Sequence, residues 1–217
     1  MAHSSISSNF TRKAPARAPP AIYHVRGDRI ILGSVASFTP AILARTRSYD
    51  LSITSIEYRL APESPHPVPV DNCYAGLEWL RTDSSELGVD YRRIVVPGES
   101  AVGGIAVGIT LMACDKGLSP PVAYQMLIYP CSTTGTCSIS LVSNYIPNRD
   151  RTTIRPAVAA LRGEAAGQDG EVAGPQYAAP ARAQNLSGGH LTYIDVIRLD
   201  YSATEDVEYA ARLLAAV

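Results

Sequence analysis

Apolar and polar positions along this chain follow two rhythms. Ala21 to Val25, Leu51 to Leu60, Arg93 to Val96, Val122 to Tyr129 and Leu191 to Leu199 are short runs dominated by aliphatic and β-prone residues, and they predict strands. Between them, helical spacing predicts helices over Phe38 to Ser48, Asp71 to about Leu87, Ala101 to Cys114 and Ala203 to Ala215. Asp71 is expected to cap the second helix and Gly88 to end it in a left-handed conformation. Ser202-Ala203-Thr204-Glu205 reads as a capping box for the last helix, which places Val207, Ala211 and Leu214 on one face and Glu208 beside Arg212. The strands are nearly continuous in apolar residues, which predicts burial on both faces. Strand alternating with helix then predicts an α/β domain with a mostly parallel sheet, helices on both faces and right-handed crossovers.

Three stretches break the pattern. Met1 to Pro20 is rich in Ser, Ala, Pro and Arg, has no acid, and predicts a flexible tail; residues 21–217 then form a single domain. Pro62, Pro65, Pro67 and Pro69 exclude a helix interior before Val70 and predict a rigid connector. Residues 131–174 lose periodicity and form an excursion from the sheet, either shaping a site or lying on the surface as a loop.

Composition adds bounds. A 217-residue chain with 46% hydrophobic residues can bury a sizeable core. With 19 basic and 20 acidic side chains the net charge is -1, so neither nucleic acid nor an anionic membrane is an expected partner. No apolar run reaches transmembrane length and the N-terminus has no signal-peptide core, so a cytoplasmic location is expected. Cys73, Cys114, Cys131 and Cys137 are too few for a disulfide framework; free thiols are the ordinary reading, although a loop could bring Cys131 and Cys137 together.

The candidate chemistry lies in Val95-Val96-Pro97-Gly98-Glu99-Ser100-Ala101-Val102-Gly103-Gly104. A serine between a strand and a helix, with glycine two places earlier, fits a turn that lifts a nucleophile clear of both elements. The helix behind it would aim N–H groups at a developing oxyanion. The usual spacing is G-x-S-x-G, and Val102 stands at the second glycine, with Gly103 and Gly104 following. A looser turn or a rebuilt packing is therefore expected.

Tyr58-Arg59-Leu60-Ala61-Pro62-Glu63, the prolines to Pro69, and Asp71-Asn72-Cys73-Tyr74-Ala75-Gly76-Leu77-Glu78-Trp79-Leu80 resemble the hormone-sensitive-lipase-like branch of the α/β-hydrolases. Gly98-Glu99-Ser100-Ala101, Leu127-Ile128-Tyr129-Pro130, Gln176 to Arg182 and Leu186-Ser187-Gly188 follow in the same order. The resemblance implies the α/β-hydrolase fold, shortened at both ends, and cofactor-free, metal-free hydrolysis of small or medium carboxylic esters or lactones. It implies Ser100 as nucleophile, Asp200 as triad acid, and Ala101 as an oxyanion donor, with Glu99 where an Asp is common. His24 matches the histidine that opens the oxyanion loop, where Gly27 is the one glycine kept. By itself Asp200 reads equally as a turn or cap acid.

The resemblance also places a catalytic histidine after a further strand, whereas this sequence stops at Val217. Of His3, His24, His66 and His190, none is expected in that geometry: His3 is in the tail, His66 belongs to the connector, and His190 should lie at the opposite sheet edge from Ser100. Two readings follow. One is a serine carboxylesterase; the other is a non-hydrolytic or catalytically impaired protein of the same fold that binds, isomerises or cyclises a small metabolite. The strands at Leu51 to Leu60 and Leu191 to Leu199 are expected as sheet edges, so a homo-oligomer is expected, paired at the latter.

Overall fold

The computed structural model of the chain describes residues 7–10, 18–27, 30–49, 51–130, 176–188, 190–196 and 203–216. Its strands are β1 (Ser7–Phe10), β2 (Pro20–Val25), β3 (Ser52–Ile56), β4 (Asp90–Glu99), β5 (Tyr124–Ile128) and β6 (Leu191–Asp195). Its helices are α1 (Val35–Tyr49), α2 (Val68–Thr82), α3 (Ala101–Asp115) and α4 (Ala203–Ala215). One sheet takes the order β1-β3-β2-β4-β5-β6. Among the described strands only β1 runs antiparallel to its neighbour; the other five are parallel, the arrangement of an α/β-hydrolase sheet.

Two consecutive residues show how both faces are covered, since successive strand side chains point to opposite sides. The Tyr23 hydroxyl donates to the Cys73 carbonyl of α2 at 2.6 Å. The ring of His24, next along β2, lies 6.0 Å from the Phe38 ring of α1. Helix α3 packs beside α2, with Ile105, Ala106, Val107 and Ile109 at 2% exposure or less. Each fully buried aliphatic side chain contributes roughly 1.5–3 kcal/mol of hydrophobic stabilisation.

The structure departs from the sequence reading in three places. Ser7–Phe10, expected within the tail, pairs with β3 from Ser7↔Ile56 to Phe10↔Ile53. Every residue of β3 is buried, and β1 satisfies the backbone groups on the side where an edge was expected. Helix α2 begins at Val68, ahead of Asp71, with Pro67 at the N-cap and Pro69 in the first turn. A first turn has no intrahelical use for its N–H groups, so proline costs little there. That helix also ends at Thr82, and Gly88, at φ 66°, closes a run of turns beyond it. The excursion at 131–174, the capping residue Ser202, His3, and Cys131 and Cys137 lie outside the described residues.

Candidate active site

Connections fix where a ligand can bind. From β2 the chain crosses through α1 to β3 on one side, and from β4 through α3 to β5 on the other. The crossovers diverge between β2 and β4, the switch point where open parallel sheets leave a crevice at their carboxyl edge. The ladder itself opens there. Paired register between β2 and β4 ends at Ile22↔Val95, while β2 follows β3 to Val25↔Ile56 and β4 follows β5 to Glu99↔Ile128. Continuing the Ile22↔Val95 offset places Gly27 level with Ser100 across this gap.

Ser100 stands between β4 and α3 with φ 55° and ψ -127°. For a residue with a Cβ this backbone region costs about 1–3 kcal/mol and persists only where its surroundings over-determine it. Those surroundings are present: Ser100 N–H donates to the Ile128 carbonyl at 3.0 Å, and the Ser100 carbonyl accepts from Gly103 N–H at 2.9 Å. Gly98 makes the turn possible. A Cβ at Gly98 would meet the Ala106 Cβ at 2.6 Å and the Gly103 Cα at 2.8 Å, so only glycine lets α3 fold back this closely. The tight approach falls on Gly103, while the Val102 side chain, 2% exposed, enters the core. Ala101 opens α3, and its N–H has no acceptor inside the helix.

The other expected site residues divide between the rim and elsewhere. Glu99 ends β4 and its carboxylate accepts from the Tyr129 hydroxyl. Tyr129, at φ 36°, donates its N–H to the Asp195 carbonyl at 2.8 Å, which brings the end of β6 to the same rim. Asp200 lies beyond β6, outside the described residues. His24 sits inside β2, with Nδ1 2.8 Å from the Ser55 hydroxyl, and not in the loop that follows. Burial first, then the Arg45 charge, lowers its pKa to about 4, so it is neutral near pH 7. His190 precedes β6 at the amino edge of the sheet, opposite Ser100. Its Nε2 is 3.1 Å from Gln125 Oε1, and the Gln125 amide donates to Thr110 at 2.8 Å. That chain makes Nε2 the protonated nitrogen, and burial lowers the pKa to about 4. His66 lies in the loop before α2, its pKa lowered by burial against the opposing charge of Asp71. Among the described residues no histidine is hydrogen-bonded to Ser100.

One residue at the loop entrance escaped the sequence reading: Arg26, two places after His24 and 1% exposed. Its partner Glu57 ends the neighbouring strand run, 2.5 Å away. An arginine and a glutamate closing adjacent apolar strands was the signal available for it. Among the described residues no group of three or more His, Cys, Asp or Glu is placed to hold a metal, and no helix is long and apolar enough to cross a membrane.

Ser100 thus sits in a strained strand-to-helix turn, over a helix N-terminus and beside the switch point of a parallel α/β sheet. The chain belongs to the alpha/beta hydrolase fold family, which it matches over residues 22–217. Esterase LipI of Mycobacterium tuberculosis is 31% identical over 198 residues, covering 91% of this chain and 60% of LipI. Carboxylic ester hydrolase LipN of the same organism is 30% identical, covering 97% of this chain and 56% of LipN. The chain thus spans less than two thirds of these relatives. A bacterial heroin esterase superposes with a TM-score of 0.85 at 30% identity, covering 99% of this chain and 73% of that one.

Proposed function

We propose that the protein is a serine carboxylic-ester hydrolase of the hormone-sensitive-lipase-like branch, acting on a small or medium ester or lactone with Ser100 as nucleophile. The observation that carries this reading is the strained backbone of Ser100, held by Ile128, Gly103 and the absent Cβ of Gly98. In the reaction the Ser100 oxygen attacks the ester carbonyl carbon, its proton passes to a base, and the carbonyl electron pair moves onto oxygen. The Ala101 N–H, with a second donor from the loop that Gly27 opens, receives that oxyanion. Collapse expels the alcohol, which takes the proton, and water repeats the sequence on the acyl-serine. Asp200 is the acid we assign to orient the base. The names of LipI and LipN as an esterase and an ester hydrolase support the reaction class. The free thiols of Cys73 and Cys114 fit the cytoplasm as compartment.

A second reading is supported by the histidines. His24 and His190 are both engaged away from Ser100, which favours a protein that holds a small metabolite at the crevice without hydrolysing it. A fluorophosphonate probe together with p-nitrophenyl butyrate separates the two. Labelling and turnover that both disappear in Ser100→Ala support the hydrolase; turnover unchanged in Ser100→Ala, or no labelling of the unmodified protein, sinks it.

A further inference from the structure

The loop at the crevice is anchored by a buried cation that the hydrolase reading leaves unused. Arg26 is 1% exposed, and its guanidinium reaches two separate segments, the turn at Leu32 and the adjacent residues Glu57 and Tyr58. Nε donates to Glu57 Oε1 at 2.5 Å, Nη1 to the Leu32 carbonyl at 2.9 Å, and Nη2 to the Tyr58 carbonyl at 2.8 Å. The contacts are returned. The Tyr58 hydroxyl donates to the Arg26 carbonyl at 3.1 Å, and the guanidinium carbon lies 4.4 Å from the centre of the Tyr58 ring. Glu57 Oε2 accepts the Val35 N–H that opens α1 at 2.6 Å. Between these anchors Ile30 is forced to φ 69°, unusual for a β-branched residue, and its carbonyl accepts the Ala61 N–H at 3.2 Å.

We propose that Arg26 is a positioning residue for the oxyanion side of the site. It fixes the turn at 30–34 through Leu32, and fixes Gly27 through its own backbone, which Tyr58 holds from the other side. Gly27 is the residue level with Ser100 across the crevice, so the clamp sets where its N–H points relative to an oxygen developing at Ser100. The planar fork suits this, because it aims three N–H groups at acceptors on two segments in one fixed geometry, which the rotatable point charge of an ammonium does not supply. The catalytic consequence rests on the hydrolase reading; the clamp does not.

Arg26→Lys and Glu57→Gln test it in the full chain. Hydrogen exchange by mass spectrometry reads peptides covering 26–35 and 92–105, and p-nitrophenyl butyrate kinetics with inhibition by an aliphatic trifluoromethyl ketone read the site. The ketone adds to a nucleophilic serine and presents an oxyanion. In Arg26→Lys, exchange over 26–35 should rise while 92–105 stays protected. kcat and ketone affinity should fall together by about 100-fold, the scale of losing one oxyanion donor, with KM within about twofold. Glu57→Gln should move both readouts the same way by less, and serves alone if the lysine variant does not fold. Unchanged exchange over 26–35 overturns the clamp. Faster exchange with kcat and ketone affinity intact overturns the positioning role and leaves a structural one. An unmodified protein with neither turnover nor ketone binding overturns the hydrolase reading and the catalytic role, and is told apart from failure of the clamp by exchange, which needs no turnover.

Discussion

Gly98 and Gly103 touch across the turn that carries Ser100: a methyl group on Gly98 would lie 2.8 Å from the Gly103 Cα, closer than carbon atoms pack. The placement of Ser100 at this turn therefore depends on a glycine pair offset from the usual spacing.

Gly98→Ala should push α3 away from β4. Overpacking of this kind costs about 1–3 kcal/mol, and Ser100 should lose its alignment with the helix N-terminus. The expected result is a urea midpoint lowered by that amount and probe labelling reduced at least tenfold relative to the unmodified protein. Labelling retained at full rate would show that the turn tolerates a Cβ at this position.

Ser100 is a site where stability and chemistry should oppose each other. Glycine adopts φ 55°, ψ -127° without the clash that a Cβ brings. Ser100→Gly should therefore be more stable than Ser100→Ala by about 1–2 kcal/mol, while neither variant turns over ester. Calorimetry on the two variants checks it; equal melting temperatures would mean the turn carries no strain.

Stability should fall on mild acidification. His24 and His190 each have a pKa near 4 in the fold, set first by burial, against 6.5 for an ordinary histidine. The unfolded chain therefore binds protons first as pH drops, and stability is fully present above pH 6.5. Between pH 6.5 and about 4 each histidine should remove up to about 1.4 kcal/mol per pH unit, and the loss should level off below that. His66, also lowered, acts in the same direction. Denaturation at a series of pH values, repeated with His190→Gln, should show a shallower slope in the variant. An identical slope would show that His190 does not titrate between the two states.

Self-association is expected at β6. Among the described residues it pairs with β5 only, and Leu191 and Tyr193 are 73% and 46% exposed. A strand paired on one side among the described residues can recruit another strand on the other, and a second copy of this chain is the partner we propose. Light scattering after size-exclusion chromatography should give a dimer or larger, returned to monomer by Leu191→Lys with Tyr193→Lys. A monomer from the unmodified protein would refute the pairing.

Much of the architecture is local information. The apolar runs that became β2 to β6 and the helical spacing of α1, α3 and α4 specify parallel strands and crossovers, because burial on two faces leaves few other solutions. The turn was equally legible: Gly98 and Ser100 between a strand and a small-residue helix already imply a sharp change of direction. Long-range pairing decided the rest. Ser7–Phe10 has no strand signal of its own and becomes one because β3 needs a neighbour. Pro67 and Pro69 looked like a barrier to helix and instead sit where a helix needs no N–H. Where the His24 ring goes was not legible: the β2–β3 register turns it to Ser55 and α1 and brings Arg26 to the loop entrance. Local sequence sets which residues can turn, bend or extend. Which of them face the crevice depends on strand register, and register is set by partners far away along the chain.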